Sequence, residues 1–272
     1  MNRLSERPIG VFDSGLGGLT VLKAIMTLLP GENTVYFGDS GRAPYGTKSP
    51  ETVAKYSRQN IRFLLDQQVK MIVIACNTAS ACAYESVKDT SSVPVVEVVA
   101  PGAAAAVQVT RNNRIGIIGT RGTVDSEVYV RSIRRFADQE TYIVQQACPL
   151  FVGLAEEGWW DNEIARRIAE EYLAPLREHR IDTLVLGCTH YPLLSKVIAG
   201  IMGPDVQLIN AGNRVAAEAR RTLIDAGLLN PGTRPAVHQY FTSDSVSHFQ
   251  NLGGVFLAEP IKDARKIDIE QY

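Results

Sequence analysis

The sequence predicts an α/β protein made of two similar domains, each with a mainly parallel sheet flanked by helices. Short, continuously apolar runs such as Met71–Ala75 (MIVIA) are typical of strands that are buried on both faces. Helical patterns alternate with these runs, which indicates right-handed βαβ units. The second half of the chain then repeats the order of the first.

In the first half, the apolar run Ile9–Asp13 predicts a strand, followed by a glycine-rich turn and a helix that extends to Leu29. Thr34–Phe37 predicts the next strand. Apolar residues at helical spacing predict a helix from about residue 50 to residue 67. Met71–Ala75 is too short for a helix and completes this part as a buried parallel strand.

In the second half, Arg114–Gly119 (RIGIIG) resembles Pro8–Phe12 (PIGVF), and Thr183–Gly187 (TLVLG) resembles Met71–Ala75. Both Met71–Ala75 and Thr183–Gly187 are followed at once by a cysteine, then by small polar residues and a predicted helix. The two halves are therefore expected to be related domains with corresponding strand ends.

Composition restricts the class of protein. The 272 residues are enough for two cores, and 45% hydrophobic with 21% charged residues is typical of a soluble globular protein. The formal net charge of -1 gives no overall basic field, so no nucleic-acid partner is expected. Arg131, Arg134 and Arg135 lie close together, and a solvated helix face is the preferred interpretation.

The opening segment Met1–Pro8 is polar and does not resemble a signal peptide. No apolar stretch approaches the roughly 20 residues that span a bilayer. A cytoplasmic location without membrane attachment is therefore expected.

Four cysteines, Cys76, Cys82, Cys148 and Cys188, form no CxxC pair and no zinc-binding spacing. In a reducing compartment disulfides are not expected, so each cysteine is either a core residue or a reactive thiol. Cys76 and Cys188 form a matched pair at corresponding strand ends, which favours a functional role. Cys82 and Cys148 lack that setting and are interpreted as structural.

Ligands of open parallel sheets bind outside the carboxyl ends of the strands. A cysteine at such an end, just before a helix, meets unpaired amide groups and the positive end of the helix dipole. These features stabilise a thiolate relative to the usual thiol pKa of about 8.5 and also bind carboxylates. If the domains face one another, the two thiols lie on opposite sides of one cleft, as inversion of a stereocentre by two bases requires.

Four segments resemble the motifs of glutamate racemases. They are Ile9–Thr20, Tyr36–Asp39 with Arg42–Gly46, Ala75–Ser80, and Gly187–Leu194. The resemblance implies that Cys76 acts on the D-enantiomer and Cys188 on the L-enantiomer.

The resemblance also implies the residues that surround the thiols. Asp13 would assist the first thiol and His190 the second. The family's acidic residue corresponds best to Glu156, with Glu157 as the alternative, although Gly153 stands where the family has proline. The substrate contacts implied by the resemblance are Asp13, Ser14, Tyr45, Gly46, Asn77, Thr78, Thr189 and His190.

These residue types suit an acidic substrate, but each also has an ordinary structural role. Asp13 could face the active site or cap a helix. Short side chains such as Ser14 and Asn77 can donate to a carboxylate or serve as caps and turn residues. The turn after Asp13 lacks the Walker lysine and the third glycine of GxGxxG, so it is interpreted as a tight turn rather than a phosphate site. Neither a metal nor any other cofactor is expected.

Two chain crossings are expected, near Val98–Pro101 and near Ile209–Gly212. A first domain of residues 1–98 with 210–272 and a second domain of residues 99–209 follow, partly from the resemblance. The tail is predicted to return to the first domain with a strand at Val237–Phe241 and another at Val255–Ala258.

The resemblance implies cofactor-independent interconversion of L- and D-glutamate, supply of D-glutamate for peptidoglycan synthesis, and a homodimer. One alternative is a racemase of the same superfamily that acts on aspartate or another amino acid. Another is a protein that binds an acidic ligand without chemistry, which would leave the matched cysteines unexplained.

Overall fold

A computed structural model describes residues 4–88, 91–138, 140–232 and 234–272; residues 1–3 of the polar opening segment lie outside this range. Residues 9–136 contain β1 (Ile9–Asp13), α1 (Leu19–Leu28), β2 (Thr34–Gly38), α2 (Pro50–Asp66), β3 (Met71–Ile74), α3 (Asn77–Val87), β4 (Val95–Glu97), α4 (Val99–Val109), β5 (Arg114–Gly119), α5 (Arg121–Asp125) and α6 (Val128–Phe136). The remainder of the chain contains β6 (Tyr142–Ala147), α7 (Leu150–Glu156), α8 (Glu163–Glu178), β7 (Thr183–Gly187), α9 (Ser195–Met202), β8 (Gln207–Ile209), α10 (Gly212–Asp225), β9 (His238–Thr242), α11 (Val246–Leu257) and β10 (Ala264–Lys266).

The chain divides into two compact units. Unit 1 comprises Met1–Val98 and Gly212–Tyr272, and unit 2 comprises Val99–Ala211. Unit 2 is therefore one continuous segment, whereas unit 1 is assembled from two segments that are separated along the chain.

The sheet of unit 1 is parallel, with strand order β10-β9-β2-β1-β3-β4. Strands β1, β2 and β3 are buried along their whole length because helices cover both faces, which explains their continuous apolar runs. Phe12 is in register with Ile74, and Asp13 with Gly38. The register brings Asp13 close to the carboxyl end of β3, where Cys76 follows.

The sheet of unit 2 is also parallel, with strand order β6-β5-β7-β8. Gly119 at the end of β5 is in register with Ala147 on one side and Gly187 on the other. Cys148 and Cys188 therefore follow equivalent positions of the two strands that flank β5. The prediction of two mainly parallel sheets flanked by helices is confirmed.

The predicted strand at Val255–Ala258 is wrong. Residues 255–257 form the end of α11, whose buried side chains, Phe249, Phe256 and Leu257 among them, recur at helical spacing. The last strand is instead β10, a three-residue edge strand with the exposed residues Arg265 and Lys266.

Two surface features complete the fold. Arg131, Arg134 and Arg135 are exposed on α6, which confirms the interpretation of a solvated helix face. Among the helices of the described ranges, each is too short or too polar to cross a membrane.

Candidate active-site residues

Cys76 follows β3 and is the N-cap residue of α3. Its Sγ accepts a hydrogen bond from the backbone N–H of Ala79 at 3.4 Å, and the residue is only 5% exposed. The sulfur thus lies at the positive end of the helix dipole, where a negative charge is stabilised.

Asp13 and Ser14 lie beside this thiol. Asp13 is fully buried, and its Oδ1 accepts from the N–H of Gly15 at 3.1 Å. Oγ of Ser14 lies 3.6 Å from Sγ of Cys76. Asp13 does not cap the next helix, because the N-cap of α1 is Gly18. The carboxylate of Asp13 is therefore held by the glycine-rich turn, whose Ser14 contacts the thiol.

The phenol of Tyr36 lies close enough to Asp13 and Cys76 for their charges to affect its pKa. Burial raises the pKa of Tyr36 well above its usual value, and the charges of Asp13 and Cys76 raise it further. Its hydroxyl donates to the carbonyl of Gly15 at 2.9 Å. The phenol thus stays protonated and holds the turn that carries Ser14.

Gly18 allows α1 to begin against Asp13. A Cβ at this position would lie 2.5 Å from Cβ of Asp13 and 2.9 Å from Cβ of Ala75. Both contacts are too short for real carbon atoms and involve atoms fixed to the backbone. The absence of a side chain at Gly18 is therefore a condition for the position of Asp13.

The other predicted substrate-binding residues of unit 1 differ in the partners of their side chains. Asn77 and Thr78 begin α3 and are buried beside Cys76. Tyr45 turns inward: its hydroxyl donates to Oδ2 of Asp39 and accepts from Nδ2 of Asn60 at 3.0 Å. The phenol of Tyr45 is thus used inside the fold.

Cys188 follows β7 and differs from Cys76 in its surroundings. It is 7% exposed, but the chain after it turns through Thr189 and His190 before a 3-10 helix at Tyr191–Leu194. The expected helix therefore begins later than at Cys76, and the sulfur does not cap it. Its neighbour is instead a side chain, since Nδ1 of His190 lies 3.8 Å from Sγ.

Glu156 completes this arrangement. Its Oε1 lies 3.0 Å from Nε2 of His190, which is 4% exposed. An ionised carboxylate can only accept, so Nε2 carries the proton, and Nδ1 of a neutral ring is left as the acceptor facing Cys188. Glu157 is instead the exposed C-cap residue of α7. Of the two acidic residues, the structure brings Glu156 to the histidine.

Two buried groups pack behind Cys188. Burial raises the pKa of the Cys148 thiol, and the charge of Cys188 raises it further, so Cys148 stays protonated. The hydroxyl of Tyr191 donates to the carbonyl of Cys148 at 2.8 Å. Thr189 is buried next to Cys188. Cys148 thus supports the strand end without offering a base.

Asp39 and Arg42 have structural roles that their motif alone does not predict. They form an ion pair in which Asp39 is buried and Arg42 is partly buried, with Nη2 of Arg42 at 2.7 Å from Oδ2 of Asp39. Opposite charges three residues apart beside Tyr45 were the available signal. Within the described ranges, no group of three or more His, Cys, Asp or Glu side chains could hold a metal ion.

Comparison with known proteins places this arrangement in a family. Residues 9–219 match the family model described as Asp/Glu/Hydantoin racemase. The chain belongs to this racemase family. It is therefore an isomerase of the family.

Individual members of the racemase family are similar over almost the whole chain. A glutamate racemase of Geobacter metallireducens is 50% identical over 264 residues, which is 97% of both chains. The crystal structure of glutamate racemase from Francisella tularensis in complex with D-glutamate is 37% identical, with a TM-score of 0.92, and covers 98% of this chain and 100% of its own. The glutamate racemase isoform RacE1 from Bacillus anthracis is also 37% identical, with a TM-score of 0.93 and coverage of 97% and 98%.

Proposed function

We propose that this enzyme interconverts L- and D-glutamate by two-base proton transfer between Cys76 and Cys188. The observation that carries the proposal is the pair of buried thiols at the carboxyl ends of β3 and β7, each with its own polar partners. The names of the similar proteins, and the D-glutamate bound to the relative from Francisella tularensis, support glutamate as the substrate.

In the L to D direction, Cys188 as thiolate removes the α-proton and leaves a planar carbanion. Cys76 as thiol then delivers its proton to the opposite face of that carbon. The product is D-glutamate, Cys188 is now the thiol, and Cys76 is now the thiolate, ready for the reverse reaction. One thiol and one thiolate are required, because two thiolates close together would repel each other.

Each thiol has groups that support its change of charge. The backbone amides of α3 stabilise the thiolate of Cys76, and Asp13 assists its proton movement. On the other side, Nδ1 of His190 accepts the proton of Cys188, and the carboxylate of Glu156 stabilises the imidazolium that results.

The substrate carboxylates need donors that approach closely. Ser14, Asn77, Thr78 and Thr189 supply short side chains beside the thiols, and the loop at Tyr45 and Gly46 supplies peptide groups. Helix N-termini favour such anions through their unpaired N–H groups. These donors would bind the carboxylates of glutamate beside each thiol.

The proposal needs no cofactor, since proton transfer alone inverts the stereocentre. The enantiomers have equal free energy in water, so the equilibrium ratio is one to one and consumption of D-glutamate drives net flow. We propose peptidoglycan synthesis as that consumer, with the enzyme working as a cytoplasmic homodimer. Analytical ultracentrifugation of the purified enzyme tests the dimer, and a sedimentation profile of monomers alone contradicts it.

Exchange in heavy water tests the mechanism. L- and D-glutamate are incubated separately with wild type, Cys76→Ser and Cys188→Ser, and deuterium at the α-carbon is followed together with optical rotation. We expect both variants to lose racemisation, while Cys76→Ser still labels L-glutamate and Cys188→Ser still labels D-glutamate. Normal racemisation by both variants would show that the cysteines only pack.

A substrate panel tests the specificity. Wild type is expected to turn over glutamate faster than aspartate or other small acidic amino acids. Equal or faster turnover of aspartate would assign the enzyme to another branch of the superfamily. Retention of the α-proton in every substrate during long incubation would indicate a binding protein without chemistry.

A further inference from the structure

The loop that follows β2, residues 39–47, carries the peptide groups of Tyr45 and Gly46. It contains short 3-10 turns at Ser40–Arg42 and Tyr45–Thr47 and has no strand partner of its own. Its conformation depends on side chains, and the most connected of them is the guanidinium of Arg42, which is only 11% exposed.

Each of the three guanidinium nitrogens of Arg42 has polar partners. Nε donates to Asp39 Oδ1 at 3.1 Å and Oδ2 at 2.8 Å, Nη1 donates to Gln59 Oε1 at 2.7 Å and Glu270 Oε1 at 2.9 Å, and Nη2 contacts Asp39 Oδ2 at 2.7 Å and Asn60 Oδ1 at 3.1 Å. The guanidinium carbon also lies 4.0 Å from the ring centroid of Tyr56. A lysine could keep the charge but could not reproduce this planar set of contacts.

Asp39 connects Arg42 to Tyr45 within the loop of residues 39–47. Its buried carboxylate accepts from Arg42, from the hydroxyl of Tyr45, and from Oγ of Ser243 at 2.8 Å. Asn60 donates to the same phenol from α2. The hydrogen bonds of its hydroxyl thus fix the orientation of the Tyr45 side chain. This in turn restricts the positions of the peptide groups of Tyr45 and Gly46.

Residues near the C-terminus also contact the loop of residues 39–47 and Arg42. Glu270, in the 3-10 turn Ile269–Gln271, binds Arg42 and also accepts from Gln59 at 3.4 Å. Ser243, which follows β9, accepts from the N–H of Gly41 at 2.9 Å. The loop is therefore held between α2 and residues more than 200 positions further along the chain.

We propose that Arg42 is a positioning residue for substrate binding, and that Glu270 extends its effect to the C-terminal turn. This inference rests on the proposed function, in which the peptide groups of Tyr45 and Gly46 bind the substrate. A loop held in its binding conformation avoids the entropy cost of ordering on binding. Loosening it weakens substrate binding but leaves the thiols and their partners in place.

The test compares wild type with Arg42→Lys, Glu270→Ala and Glu218→Ala. Glu218 is a matched control, because it is a carboxylate of unit 1 paired with Arg221 at 2.6 Å, away from the loop. We expect KM to rise about tenfold or more in Arg42→Lys for both enantiomers, since hydrogen bonds to charged groups are lost. A smaller rise is expected in Glu270→Ala, no change in Glu218→Ala, and a kcat close to wild type throughout.

Hydrogen exchange of the backbone amides of residues 39–47 is measured on the same variants. Faster exchange together with the raised KM supports the inference. The inference is overturned by an unchanged KM in Arg42→Lys, by a fall in kcat alone, or by an equal effect of Glu218→Ala. If Arg42→Lys does not fold, an unchanged KM in Glu270→Ala overturns the inference. If wild type does not racemise glutamate, the proposed function fails separately, and unchanged loop exchange in Arg42→Lys or Glu270→Ala then overturns the positioning role as well.

Discussion

The carboxylate of Glu156 lies 3.0 Å from Nε2 of His190, so the opposite ring nitrogen faces Cys188. The same glutamate is 35% exposed at its side chain, whereas the histidine is buried. The sulfur is thus connected through a ring to a carboxylate near the surface. The adjacent Glu157 carries the same side chain but is the exposed C-cap residue of α7, which makes it a control for mutation of Glu156.

Glu156→Gln is expected to slow racemisation roughly 10- to 100-fold, because the charge-assisted hydrogen bond to His190 is lost. The one-to-one equilibrium forces kcat/KM to fall equally in both directions. The asymmetry appears in heavy water, where labelling of L-glutamate should fall more than labelling of D-glutamate. Glu157→Gln is the control, and equal losses in the two variants would contradict the role of Glu156.

Gly18→Ala is expected to destabilise unit 1 by about 1–3 kcal/mol, because the new Cβ overlaps Asp13 and Ala75. Displacement of Asp13 should also reduce activity by about 100-fold, as small misplacements at a reaction centre do. Urea unfolding and racemisation assays measure the two effects. Gly200→Ala in α9, where a Cβ meets open space, should keep full activity and wild-type stability or better.

Cys148→Ala is expected to retain racemisation, because burial and the charge of Cys188 raise the pKa of the Cys148 thiol and keep it protonated. The same cause predicts that iodoacetamide leaves Cys148 of the native enzyme unmodified. Mass spectrometry of the peptides identifies the alkylated cysteines. Loss of racemisation in Cys148→Ala without loss of stability would assign Cys148 to the chemistry.

Asp182 gives a prediction for pH-dependent stability. Burial raises the pKa of its carboxyl. Hydrogen bonds from the side chains of Thr110 and Thr183 and from the backbone of Arg111 and Asn112 lower this pKa by more, so the net shift is downward. A depressed folded-state pKa contributes stability that is present above the unfolded pKa of about 3.9 and is lost as pH falls through the folded value.

Asp182→Asn is therefore expected to lower the free energy of unfolding of unit 2 by about 1–3 kcal/mol near neutral pH. The difference from wild type should narrow as the pH falls below about 4. Urea unfolding at several pH values measures it, with the exposed Asp205→Asn as control. A difference that does not depend on pH would show that the carboxylate charge is not the cause.

Much of the fold could be predicted from the sequence because its central strands are buried on both faces. Ile9–Asp13, Arg114–Gly119 and Thr183–Gly187 are strands with the predicted bounds. The prediction failed at the edge of the sheet. β10 is short and charged, and so lacks a hydrophobic signal, whereas Val255–Leu257 resembles a strand only when the helical spacing back to Phe249 is overlooked.

The candidate site was predictable in its residues but not in its contacts. Asp13, Cys76 and Cys188 stand at strand ends that periodicity identifies. The inward turn of Tyr45 could not be read from its motif, because it depends on Asn60 in a helix and on Asp39 six residues earlier. Hydrogen bonds between side chains that are far apart along the chain produce no periodic pattern in the sequence, so they could not be predicted from it.

The insertion of unit 2 between β4 and α10 has a consequence for synthesis on the ribosome. β2 gains its partner β9 only after residue 238 has been made, and Lys70 of unit 1 donates to the carbonyl of Leu228 at 2.9 Å. Unit 2 is continuous and complete at residue 211, so it can fold while unit 1 still lacks an edge. Unit 2 can therefore complete its fold before unit 1, the reverse of the usual order in which the N-terminal domain folds first. Until residues 238–242 emerge, the side of β2 that pairs with β9 stays open to aggregation.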